Sequence, residues 1–139
     1  MIEALIVEAL RARLAAFTPV LPIHYQNGEV FVPPTSAGKP LPYFKEDLLW
    51  NRNINRGISH VSTTEHRGIY QITVLYPSAT GLLAVTNVAG LIAAWFERGT
   101  VIAVIGCTVN IQGKPYLSGL MQDGVYVRMP VTISFYGFD

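Results

Sequence analysis

His60, Glu65 and His66 bring two imidazoles and a carboxylate into one short stretch, the ligand types that hold zinc. Their spacing does not put the two histidines on one helical face, and no third strong ligand lies nearby, so the stretch reads as a solvated polar loop. Glu46 and Asp47 are adjacent; on a strand they point to opposite faces and cannot work as a carboxylate pair. His24 follows Pro22 on a short strand and reads as a partly exposed structural residue rather than a general base. Gly38-Lys39 lacks the preceding glycine of a phosphate loop, is followed by Pro40, and starts no helix. There is no glycine-flanked serine elbow and no dinucleotide fingerprint. Cys107 is the single cysteine, which rules out an intrachain disulfide or a thiolate cluster, and its apolar surroundings suit a buried, inert thiol. The expectation is a protein that is not an enzyme, with no catalytic residue, cofactor or metal.

Two further groups could do other work. Tyr70, Tyr76, Tyr126 and Tyr136 resemble a base-stacking platform only in type: arginine and lysine do not interleave with them, so they read as core or interface aromatics. Arg52, Arg56 and Arg67 stand out because no acid occurs between Leu48 and Thr64. They read either as part of an ordinary solvated loop or as a basic tip that docks on an acidic partner surface, giving register and on-rate more than affinity. Half of all residues are apolar and only 14% are charged, a balance that suits a surface partly hidden in a partner. A formal net charge of +1 gives no basic footprint for nucleic acid. Glu3 and Glu8 inside the first apolar stretch argue against a signal peptide. The greasiest segment, Gly81 to Phe96, is shorter than the roughly 20 residues that span a bilayer. Synthesis in a cytoplasm and no membrane contact are expected.

The elements that must position these groups follow from periodicity. Ile2 to Phe17 places Ile2, Ile6, Leu10, Leu14 and Phe17 on one helical face, with Glu8 and Arg11 opposite and Arg13 at the stripe's edge. Ile23 to Gln26 is a short strand, with Asn27-Gly28 turning it back into Val30 to Val32. Pro33 to Pro42 is an irregular connection, and Tyr43 to Leu49 is the next strand. Asn51 to Glu65 is a long mobile loop, within a span of about 50–66, carrying at most a brief strand at Ile58 to Ser62. Gly68 to Tyr76 alternates as a strand. Ser78 or Thr80 caps a helix that runs to about Arg98 and stops at Gly99. This helix is apolar nearly all round, so one side is expected to meet a partner subunit. Val101 to Ile111 and Val125 to Phe135 are strands that bracket a loop from Gln112 to Gly124. Pro130 implies a bulge or an edge position in the last strand. The class is α+β: one domain over residues 1–139, with helices packed on a mostly antiparallel or mixed sheet.

The run from His66 to Val74, the turn at Pro77, the Leu82 to Phe96 helix ending in Arg98-Gly99-Thr100, and the ending from Met121 through Ile133 together resemble the tail-terminator-like proteins of long-tailed phages and prophages. The opening helix, the Pro22 strand and Val32-Pro33-Pro34 before Pro42-Tyr43 fit the same layout, so the resemblance covers nearly the whole chain. It implies a homo-oligomeric ring, six-fold, that caps the finished tail tube, stops its polymerisation and offers a surface for head joining. Its implied partners are other copies of the chain, the tail tube protein and a head-completion or connector protein, with DNA passing through the channel without specific binding. The implied place is the head-proximal end of the virion tail. The Asn51 to Glu65 loop, with Trp50 and its Asn-Arg pairs, departs from that pattern. Two alternatives stand beside this one. The first is a neck or connector ring protein of the head–tail joint. The second is a small-molecule-binding α+β domain with a pocket beneath Pro33 to Pro42.

Overall fold

A computed structural model describes residues 2–55 and 64–138. Helix α1 (Ile2–Ala15) leads into the short strands β1 (Ile23–His24), β2 (Thr35–Ser36) and β3 (Lys39–Pro40). Strands β4 (Tyr43–Trp50), β5 (Ile54–Asn55) and β6 (Thr64–Pro77) precede helix α2 (Leu82–Trp95). Strands β7 (Val101–Val104), β8 (Cys107–Leu117), β9 (Met121–Asp123) and β10 (Tyr126–Phe138) complete the chain. One sheet runs in the order β1-β4-β6-β10-β8-β7, with β5 beside β6 and β9 beside β10. Every pairing in it is antiparallel except β1 with β4, so the sheet is mixed and the class is α+β.

Both helices lie on one face of this sheet. Ile6, Leu10, Leu14 and Phe17 of the α1 stripe are buried against Val109, Ile111 and the α2 residues Val85, Ala89, Ile92 and Phe96. Strands β6 and β10 supply the floor, because Tyr70, Ile72 and Val74 alternate toward the helices opposite Ile133, Val131 and Met129. The helix ends are tied reciprocally. Arg13 Nη2 donates to the Trp95 carbonyl at 2.8 Å, Trp95 Nε1 donates to the Arg13 carbonyl at 2.7 Å, and the guanidinium lies 4.0 Å from the indole centroid. This uses carbonyls that a helix C-terminus leaves without partners and adds a cation–π contact. Arg13 thus has its stem along the core, as its place on the stripe requires. On the opposite sheet face Tyr43, Leu75 and Tyr126 form a second, smaller cluster with Phe31 packed on it.

Several boundaries differ from the sequence expectation. Val101 to Ile111 is not one strand but a hairpin that turns at Ile105-Gly106. Gly106 has φ 89°, the left-handed position that a two-residue turn needs and that glycine occupies without strain. Strand β8 then continues to Leu117 through the first part of the expected Gln112 to Gly124 loop, and β9 (Met121–Asp123) fills most of its end. The proline-rich connection holds a hairpin of its own, β2 with β3, turned by Ala37 and Gly38 at φ 52° and 78°. Residues 30–32 do not return as a strand after Asn27-Gly28. Within the stretch expected as a loop, Ile54–Asn55 forms β5, which pairs with Thr64 and Glu65 at the start of β6. The strand expected at Ile58 to Ser62 lies outside the described residues. Neither Ser78 nor Thr80 caps α2: Gly81 occupies the N-cap, and Thr80 Oγ1 instead donates to the Pro77 carbonyl at 2.7 Å.

Pro130 is not at an edge either. β10 is an interior strand, and the register shift against β8 falls between Thr132 and Ser134. The Pro130 carbonyl accepts from Ser118 N at 2.9 Å, so its missing N–H faces the gap between the end of β8 and the start of β9. No ladder bond is needed there, which removes the usual objection to proline within a sheet.

Candidate interaction surfaces and the buried ionic cluster

The polar centre of the domain was not anticipated. Glu46 sits between Phe44 and Leu48 on the helix-facing side of β4 and is 2% exposed. Its Oε1 accepts from Arg11 Nε at 2.7 Å, from Arg11 Nη2, and from the Gln26 backbone N–H at 3.2 Å. Its Oε2 accepts from the Tyr70 hydroxyl at 2.5 Å. Arg11 also donates to the Gln26 carbonyl at 3.2 Å and lies 4.8 Å from the Tyr25 ring centroid. Burial first, then the bond to Glu46, pushes the Tyr70 phenol far above its ordinary range, and the bond to Glu46 raises Arg11 further. Arg11 was expected on the solvent side of α1; the buried carboxylate draws its head inward, because an unpaired buried charge is costly. The visible clue was an acid at a strand position whose i±2 neighbours are Phe44 and Leu48.

This cluster opens on a cleft of about 360 Å³ that Trp50 and Val7 also line. It has convergent polar groups, but both carboxylate oxygens are already engaged and the phenol is locked in its protonated form. The arrangement braces α1, the β1 turn and β4 against one another. Gln26 extends the brace, its Oε1 accepting from Leu48 N at 2.5 Å.

Among the sequence-singled residues, Arg52 is exposed just past β4, and Arg67 is half-buried near the start of β6. Asn51 N donates to the Arg67 carbonyl at 2.8 Å, so these two arginines share one end of the sheet. Arg56, and His60 of the candidate metal group, lie outside the described residues. Glu65 and His66 are buried and, as neighbours on β6, face opposite ways. His66 Nδ1 lies 3.6 Å from Glu3 Oε1. Among the described residues no group of three His, Cys, Asp or Glu side chains could hold a metal ion. Cys107 is buried and burial raises its thiol. His24 is half-exposed and stacks on Phe31 at 4.8 Å. Gly38 is in the turn of the β2–β3 hairpin and Lys39 begins β3.

Large apolar side chains reach the surface on several elements. Leu82, Leu83 and Leu91 stand out from α2; Val101 and Ile105 from the β7–β8 hairpin; Val30 and Val32 from the segment before β2. Beside α2, Gly90, Ala94 and Arg98 border a cleft of about 690 Å³ closed by Lys114, Pro115 and Leu117 of β8. An open cleft of about 810 Å³ lies between Arg98, Gln112 and Tyr136. Neither these nor the cleft at Glu46 is lined by residues 33–42. No helix among the described residues is long and apolar enough to cross a membrane.

The ionic cluster braces the domain's own core, and large apolar side chains stand exposed on α2 and on the β7–β8 hairpin. The chain belongs to the phage tail terminator family, a family of structural proteins: the family model for phage tail terminator protein matches residues 5–135. Five solved chains match as well. One of them, which carries no descriptive name, superposes with a TM-score of 0.76 at 23% identity, covering 100% of this chain and 96% of its own. At that identity it supports the fold alone. Comparison with curated proteins finds no match. Membership in the family makes this a phage tail structural protein, with its place in the virion tail.

Proposed function

We propose that the chain assembles into a closed homo-oligomeric ring, a hexamer, that caps the tail tube at its head-proximal end. There it stops tube polymerisation and presents the surface that the head-completion or connector protein joins. It is made in the host cytoplasm, and DNA passes through the ring without specific binding. The observation that carries this reading is the surfacing of apolar side chains on α2 and on the free sheet edge of a family member with so few charges. Such surface calls for protein partners. A near-neutral net charge suits a channel to which DNA must not stick.

Arg52, Arg56 and Arg67 are the docking residues in this proposal. Arg52→Glu combined with Arg56→Glu is tested by adding purified protein to a terminator-deficient lysate and counting infectious particles. The double variant is expected to melt within about 0.5 kcal/mol of wild type yet to restore few particles, since like charges at an interface cost several kcal/mol. Wild-type titres from the folded variant would refute the arginines' role.

A further inference from the structure

Residues 29–33 run along the surface, and all of them but Phe31 are exposed. No backbone hydrogen bond joins them to the rest of the described chain. Their side chains alternate as a strand's do: Phe31 turns inward, stacked on His24 and 4.9 Å from Tyr43, while Val30 and Val32 are 96% and 79% exposed. The segment therefore combines a fixed inner anchor, an outward apolar pair and free backbone donors and acceptors.

A matching vacancy exists at the far side of the sheet. β7 is the terminal strand. Thr100 O accepts from Ile111 N at 3.0 Å, so in the alternating antiparallel ladder Ile102 and Val104 also bond to β8. The backbone groups of Val101 and Ala103 then face outward. On the outer face Val101 is 60% exposed and Ile105, at the hairpin tip, 97%. An apolar, unpaired edge of this kind is a template for another strand. The opposite edge is protected, because β1 covers the start of β4 and the Gln26 side chain accepts from Leu48 N.

We infer that the Glu29–Pro33 segment of one copy adds to the β7 edge of a second copy as a parallel strand, Val30 beside Val101 and Val32 beside Ala103. A second copy is required because the segment is anchored at the β1–β4 edge and its acceptor lies at the other end of the same sheet. Charge sets the direction. Parallel pairing brings the exposed Glu29 beside Thr100, two residues from the exposed Arg98, whereas antiparallel pairing leaves Glu29 at Val104, in a stretch from Val101 to Gly113 that carries no Lys or Arg. In the parallel register Phe31 N–H donates to the Val101 carbonyl, and Ala103 N–H donates to the Phe31 carbonyl. Donor and acceptor sit on different patches, so the contact is head-to-tail, the type that closes into rings. Three paired residues bury well under the roughly 1,200 Å² of a stable interface. The pairing therefore sets register, while the exposed Val101 and Ile105 side chains of the β7–β8 hairpin add area. This inference deepens the ring reading and rests on it for closure.

The test is a chain carrying Val30→Cys and Val101→Cys with Cys107→Ala, mildly oxidised and run on a non-reducing gel. A ladder of covalent multimers is expected, while a Leu49→Cys/Val101→Cys chain, which lacks the juxtaposition, should give no ladder. Ala103→Pro removes an outward N–H that no ladder bond uses. It should melt like wild type yet weaken self-association about tenfold or more, the loss of one interfacial hydrogen bond and its register. Assembly by light scattering without either effect would overturn the strand pairing and leave the ring standing. Protein that stays monomeric at all concentrations and on tube ends would overturn both.

Discussion

Replacing Glu46 with alanine probes the brace that holds α1, the β1 turn and β4 together. The variant strips the buried Tyr70 hydroxyl of its acceptor, at a cost of about 1–3 kcal/mol for an unsatisfied buried group. Removing one member of a buried ion pair costs about 3–5 kcal/mol when the other charge stays buried. Arg11, however, keeps 36% of its side chain exposed and can turn to water, which places that cost at or below the low end. The two effects together come to about 3 kcal/mol, or a fall in Tm of about 10 °C for a domain of this size. Urea unfolding followed by circular dichroism measures it. Tyr70→Phe alone should cost about 1 kcal/mol, since Glu46 keeps Arg11 and Gln26. The double variant Glu46→Ala/Tyr70→Phe should cost less than the sum, because no orphaned hydroxyl remains. A loss under about 1 kcal/mol for Glu46→Ala, or strict additivity in the cycle, would refute the brace.

Phe96 is fully buried where α2 meets the sheet, so Phe96→Ala should cost about 3–5 kcal/mol in denaturant melts; under about 1 kcal/mol would contradict the packing. A Cβ at Gly68 would lie 2.6 Å from the Leu49 carbonyl and 2.8 Å from Phe135 Cζ, so Gly68→Ala should destabilise by about 1–3 kcal/mol through forced strand and ring shifts. A Cβ at Gly90 meets nothing within 4 Å, and Gly90→Ala should raise the stability of the isolated chain by about 0.5–1 kcal/mol through helix propensity. Tyr70, Tyr43 and Tyr76 all have pKa values raised by burial, so their contribution is fully present below the unfolded tyrosine pKa of about 10 and is lost as pH rises past it. The urea midpoint should therefore fall between about pH 9 and pH 11, and Tyr70→Phe should flatten that fall.

Elements with an unbroken period were legible in the sequence. The α1 stripe, the β6 and β10 alternation and the greasy α2 all lie where their patterns place them, because each buries one continuous face. Short elements in the proline-rich region were not, since the β2–β3 pair is held by a two-residue turn rather than by a hydrophobic pattern. Val101 to Ile111 hid its hairpin because both arms are apolar and only Gly106 marks the turn. The Arg11–Glu46–Tyr70 cluster was missed because its members are separated by 35 and 24 positions and each alone looks ordinary. Glu46 was weighed only against Asp47, its neighbour in sequence; its partners came from a helix and from the adjacent strand. The surfacing of Val30 and Val32 was likewise invisible, because a valine pair around a phenylalanine reads as a buried strand until the sheet leaves it outside.

Whether a ring of this protein ends tail-tube growth is decided by electron microscopy of polymerising tail tubes with the purified protein added at rising concentration. Density is expected on one end of each tube, with a ring in end-on views and a tube length that stops increasing once that end is occupied. Tubes that lengthen at the control rate with bare ends, beside folded protein in excess, would contradict it.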